Sequence, residues 1–95
     1  MTTATTIEVR IPGPLREYCG GASSILLAAS TVRAALEELE REHESLYRNI
    51  CEETGAVRRH IGVFVNISHI RDCSGVDTPL EPGDVLTILP AVSGG

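Results

Sequence analysis

The chain has 95 residues, a net charge of −5 and 42 % hydrophobic residues, which suits one domain spanning 1–95 with a modest core and leaves little room for a large internal active site. Its eight positive charges are all Arg and its aromatic residues are Tyr18, Tyr47 and Phe64; with neither a basic face nor a stacking platform, no nucleic acid is expected as a partner. The longest apolar runs fall far short of the roughly 20 residues a spanning helix needs, and residues 1–6 lack the features of a signal peptide, so no membrane partner and a cytoplasmic location are expected.

In chain order, Ile7-Glu8-Val9-Arg10-Ile11 alternates apolar and charged residues, the period of a half-buried strand. Pro12-Gly13-Pro14 stops it, and residues 24–28 (Ser-Ile-Leu-Leu-Ala) read as a second strand after a Gly20-Gly21 turn region, so the two form a hairpin with a long loop. Ser30 or Thr31 supplies a helix N-cap. Val32, Leu36, Leu39, His43 and Leu46 then recur at three- and four-residue steps, which predicts an amphipathic helix over 32–44, with Glu37 and Arg41 spaced for an i,i+4 pair. A further turn of helix at 46–50 and a polar loop around Gly55 follow. Residues 61–67 are apolar on both faces and read as a central strand, with a short return over 68–71. Pro82-Gly83 stands at the centre of a type II turn, and residues 85–89 form the last strand, ended by Pro90. The fold class is α+β: a four- to five-stranded mixed sheet rolled on one main helix.

Beyond Pro90 lie Ala91-Val92-Ser93-Gly94-Gly95. Five extended residues reach about 17 Å from the sheet, and small side chains with two glycines predict a thin, flexible tip.

The element order with a terminal Gly-Gly resembles the β-grasp sulfur carriers, the MoaD/ThiS relatives of ubiquitin. The resemblance covers nearly the whole chain and is sharpest from Pro82-Gly83-Asp84 through the apolar strand to Pro90-Ala91-Val92-Ser93-Gly94-Gly95. Phe64-Val65-Asn66 and Thr87-Ile88-Leu89-Pro90-Ala91-Val92 look most similar to the CysO-like carriers. The connection over 45–60 is longer than in the compact molybdopterin synthase small subunit, and the Thr-rich lead is outside the motif.

The resemblance implies a sulfur carrier, a protein cosubstrate and not an enzyme. Its Gly95 carboxylate would be adenylated and converted to a thiocarboxylate, with Gly94, Ser93 and Val92 giving access to the partner's channel. It implies an activating partner, a ubiquitin-activating-type adenylyltransferase and sulfurtransferase. It implies also a sulfur-accepting synthase of the pyridoxal-phosphate kind, and a metal-dependent peptidase to release product. No cofactor is bound by the carrier; ATP is used by the activating partner. The sheet face around Phe64 and residues 86–89, with Phe64, Leu86 and Ile88 foremost, would dock that partner; periodicity leaves open which of them point outward. Cysteine is the favoured acceptor pathway. Molybdopterin, thiamine, a sulfur-containing natural product, or a ubiquitin-like modifier or binding role stay open.

The remaining reactive side chains read as structural. Cys19, Cys51 and Cys73 fit no paired or metal spacing, and no adjacent His or Lys activates them. His43 falls on the apolar stripe of the helix, and His60 and His69 lack a ligand cluster, so no metal site is expected. Arg58-Arg59-His60 reads as a solvated loop or a small patch for an acidic partner.

Overall fold

The computed structural model describes residues 5–90. Five strands, β1 (Thr6–Arg10), β2 (Ser24–Ala28), β3 (Ile61–Val65), β4 (Ser68–His69) and β5 (Val85–Pro90), form one mixed sheet in the order β2-β1-β5-β3-β4. β1 pairs with β2 antiparallel and with β5 parallel. β3 pairs antiparallel with both β5 and β4. The centre of the sheet is therefore β5. The expectation of a central strand at 61–67 is corrected: β3 lies one place from the edge and ends at Val65, and Asn66 (φ 56°) turns the chain into β4. Asn accepts this left-handed conformation more readily than other non-glycine residues.

Strand alternation decides which side chains meet the helices. Ile7, Val9, Leu27, Ile61, Val63, Leu86 and Ile88 point to one face and are buried there. Two helices, α1 (Val32–Glu42) and α2 (Glu44–Ile50), add Val32, Leu36, Leu39, Leu46 and Ile50 to that core. Each such leucine or isoleucine contributes roughly 1.5–3 kcal/mol by leaving water.

The first helix starts as expected at Thr31, whose Oγ1 accepts the Ala34 N–H at 3.1 Å. It stops two residues early. His43 leaves helical geometry (φ −143°, ψ 64°), and the chain restarts as α2 at a new angle so that Leu46 and Ile50 can both reach the core. The single stripe of the sequence is thus split between two helices. On the wet face Arg41 pairs with Glu38 at 3.3 Å, three residues back, and the expected Glu37 pairing is absent.

The β1–β2 connection holds a 3₁₀ segment over Gly13–Cys19, begun by Pro14 in its first turn, where the missing proline N–H costs nothing. It sinks Leu15 into the core. At the start of β5 the type II turn forms as expected. The Asp84 N–H donates to the Glu81 carbonyl at 3.0 Å and Gly83 takes φ 88°, the value type II demands at its third residue.

Candidate functional site

The site is built around β5, which carries the chain out of the sheet. Its start is pinned from two directions. Asn66 Oδ1 accepts the Val85 N–H at 3.1 Å, and the Asn66 amide donates to Asp84 Oδ1 at 3.2 Å. Asp84 Oδ2 accepts the Glu81 N–H at 2.9 Å. The Glu8 N–H donates to the Asp84 carbonyl at 3.0 Å. Clamped between β1 and β3, β5 then runs in fixed register to Pro90, which pairs with Ile61 and is the last residue described. The residues expected to carry the chemistry, Gly95, Gly94, Ser93 and Val92, lie outside the described residues.

The sheet leaves one face uncovered by helices, and that face surrounds the end of β5. Register places Thr87 of β5 between Arg10 of β1 and Phe64 of β3, and pairs Leu89 with Gly62. Phe64 meets His69 of β4 edge-on, with ring centroids 4.8 Å apart, a preferred arrangement for such rings. The Phe64 ring lies over Gly62; a Cβ there would come within 3.2 Å of Phe64 Cε1. Together with Leu89, Pro90, Arg59 and Arg71, these residues line a groove of about 300 Å³.

The docking set expected from the sequence is corrected here. Phe64 is half-buried on the open face. Leu86 and Ile88, at 0 % and 1 % exposure, face the helices and offer nothing to a partner. The alternation of β5 puts Thr87 and Leu89 on the open face instead, with Leu89 46 % exposed. Leu26, 71 % exposed on β2, lies on the same face but beyond the charged Glu8 and Arg10 of β1, apart from Phe64 and Leu89.

The thiols are placed apart from this groove. Cys51 is buried, and burial pushes its thiol up to about 11, so it holds its proton and is a poor nucleophile at neutral pH. Cys19 Sγ donates to the Arg16 and Ala22 carbonyls at 3.4 Å; Cys73 is exposed. Of the histidines, His43 is half-buried at the helix junction and His60 is exposed. His69 Nδ1 accepts the Arg71 N–H at 3.1 Å. Among the described residues no three His, Cys, Asp or Glu side chains gather as a metal ligand set. Nor is any described helix long and apolar enough to cross a membrane.

A mixed sheet whose first and last strands run parallel at its centre, with helices on one face only, is the ubiquitin-like β-grasp. The chain belongs to the ThiS family, whose model matches residues 9–95. It is 32 % identical over 91 residues to the sulfur carrier protein CysO of Mycobacterium tuberculosis, covering 94 % of this chain and 98 % of that one. A chain of the Amycolatopsis orientalis BexX/CysO complex superposes with a TM-score of 0.84 at 35 % identity, covering 94 % of this chain and 99 % of the other. Small archaeal modifier protein 3 of Haloferax volcanii is 31 % identical over 91 residues, 94 % of this chain and 98 % of the relative. Likeness to CysO over nearly the full length of both chains supports a CysO-like sulfur carrier.

Proposed function

We propose that this chain carries sulfur on the carboxylate of Gly95 and acts as a cosubstrate of partner enzymes. The observation that supports this best is the placement of β5. The strand leading to Ala91-Val92-Ser93-Gly94-Gly95 is the central one, paired with β1 over Val85, Leu86 and Thr87 and with β3 as far as Pro90, so whatever grips the open face finds residue 90 in register with Ile61.

A free carboxylate is a weak electrophile. A ubiquitin-activating-type partner with ATP transfers AMP to the Gly95 carboxylate and releases pyrophosphate. Sulfide-level sulfur then adds to the acyl carbon and AMP leaves, giving the thiocarboxylate. Glycine at 94 and 95 admits the tail to a narrow channel, because a Cβ at either position would widen the chain where the α-phosphate must approach. Val92 and Ser93 stand in the sequence between β5 and these glycines. The carrier supplies no acid, base or cofactor; the nucleotide belongs to the partner. Docking falls on the open face, where Phe64 and Leu89 supply an apolar surface of the kind that marks an interaction site on a small domain.

For the acceptor, the likeness to CysO favours a pyridoxal-phosphate synthase that presents an aminoacrylate. The thiocarboxylate sulfur adds to it, an acyl shift leaves cysteine amide-linked to Gly95, and a metal-dependent peptidase releases the amino acid. Delivery within a closed site keeps sulfur from diffusing as free sulfide.

Intact mass tests the reading. With ATP, sulfide and the activating enzyme, the chain should gain about 16 Da as sulfur replaces oxygen, and a chain ending at Gly94 should gain nothing while melting unchanged. Incubating the loaded form with the synthase and O-phosphoserine should add a cysteinyl residue. Loading without that adduct, and with transfer to a pterin, thiazole or sugar precursor, would retain the carrier role and reject the cysteine assignment. The likeness to small archaeal modifier protein 3 favours a second reading, a tail that forms an amide with lysines of other proteins. Adducts on added protein, in place of the mass gain on the chain itself, would decide for it.

A further inference from the structure

The charges of this acidic chain are unevenly placed around its grooves. A groove of about 380 Å³ beside α2 is lined by Glu40, Glu44, Glu52 and Glu53 with two arginines. Next to it, and sharing Arg58 with it, a groove of about 550 Å³ has a floor that includes Ile61, Val63, Ile70 and Val76, and is rimmed by Arg33, Arg58 and Arg71. It shares Ile61, His69 and Arg71 with the 300 Å³ groove of the open face, which adds Arg59. The two grooves meet at these residues, one on each side of the short edge strand β4. Four of the eight arginines line the pair, Arg58 also bordering the acidic groove, and none of the 13 carboxylates does.

The arginines differ in their freedom. Arg33 is held by Asp77 just outside the cleft, at 2.9 Å. Arg58 spends its Nε on the Arg48 carbonyl at 2.9 Å, leaving its terminal nitrogens. Arg59 and Arg71 are exposed and form no ion pair among the described residues. Guanidinium groups free beside an apolar floor recognise a carboxylate by charge and paired hydrogen bonds, while the floor takes aliphatic side chains.

We propose that this pair of grooves binds an acidic segment of a partner protein, one that alternates carboxylate and aliphatic side chains. Charge complementarity identifies the occupant. A basic segment would meet four arginines, and a purely apolar one would bury their charge unpaired. The proposal rests on the docking reading above and extends it, carrying the partner's contact from the open face around β4 toward the start of α1. Steering by this patch raises the encounter rate and makes binding fall with salt.

The test needs no sulfur chemistry, so it fails or succeeds apart from the carrier reading. The isotopically labelled full chain is titrated with a blocked synthetic peptide alternating Asp or Glu with Leu or Val, and backbone amide shifts are followed. Shifts should gather at Val57, Ile61, Ile70 and Arg71. Affinity should fall about tenfold or more between low and high salt, and by a similar factor in the double variant R59E/R71E, whose exposed side chains carry no fold contact. Absence of shifts, equal binding of a Lys-for-Asp/Glu peptide, or undiminished binding by R59E/R71E would overturn the proposal. So would movement of the Val57 and Ile70 amides, which lie away from Pro90, on deleting residues 91–95 with no peptide present, which would assign the cleft to the chain's own tail.

Discussion

The two sides of β5 are both largely apolar, yet they do different work. On the helix side Leu86 and Ile88 of β5 are sealed beneath α1 and α2. On the open side, one residue along the same strand, Thr87 and Leu89 are partly in water. An apolar side chain on the first face contributes to folding. On the second it contributes almost nothing to the fold and is available to a partner. The difference teaches that hydrophobicity in β5 cannot be read as core or as contact without the phase of the alternation.

The largest effect that would break this division is a truncation on each face. Leu86→Ala should cost roughly 2–5 kcal/mol, as buried leucines do when they leave a cavity. Leu89→Ala, with its side chain half in water, should cost under about 1 kcal/mol. Urea midpoints of the two variants check this directly. Equal losses would mean that something covers the open face in the isolated chain.

Alkaline stability probes the depth of the covered face next. Cys51 titrates at about 11 in the fold against 9.0 for a free thiol, chiefly because burial disfavours the thiolate. Between these values the unfolded chain has lost a proton that the folded chain retains, so stability is full below pH 9 and declines as pH rises through 11. The slope is at most about 1.4 kcal/mol per pH unit. Tyr47 is raised as well, first by burial and then by the charge of Cys51, and acts in the same direction. Thermal melts across this window should fall for the native chain and fall less for Cys51→Ala. A native melt flat to pH 11 would mean that the thiol is hydrated.

A smaller effect, but the one that separates function from folding, comes from Phe64→Arg and Leu89→Arg. Each should lower kcat/KM for ATP-dependent loading about tenfold or more, in line with loss of a central apolar anchor, while the urea midpoint shifts little. Unchanged loading kinetics would place docking elsewhere on the molecule.

How much of this was legible in the sequence follows from how local each signal is. The bounds of β2 and the Glu81–Asp84 turn rest on a few adjacent residues and match the structure, and the helix cap falls at Thr31, one of the two residues, Ser30 and Thr31, that the sequence offers. The family and its fold were legible from the ending over residues 82–95. The phase of β5 was not. Val85, Leu86, Ile88 and Leu89 are all apolar, so periodicity gives no preference, and only the pairing of Leu86 with Val9 and Val65 decides which side faces the helices. The rank of β3 in the sheet was hidden for the same reason. The break at His43 lacks a proline or glycine to announce it and is imposed by packing of Leu46 and Ile50. The 3₁₀ segment did carry a signal, Pro14 ahead of Leu15, but a proline pair reads first as a stop.

The smallest prediction sets two glycines against each other, one for each role. Gly83 has φ 88° with open space where a Cβ would go. Gly83→Ala therefore meets no neighbour and costs only the backbone penalty, about 1–2 kcal/mol, and Gly83→Asn should recover part of it because Asn tolerates that region. The turn it serves is 18 Å or more of strand from the end of β5, at roughly 3.3 Å per residue, so loading kinetics should not change. Gly62 is the converse. Its backbone is ordinary, and an added Cβ would press on Phe64 Cε1 at 3.2 Å, a ring edge that can shift by a few tenths of an ångström toward solvent. Gly62→Ala should leave the melt within about 0.5 kcal/mol of native and displace Phe64 from the groove beside Leu89, lowering kcat/KM for loading. If Gly83→Ala slowed loading and Gly62→Ala only destabilised, the assignment of one end of β5 to anchoring and the other to docking would be reversed.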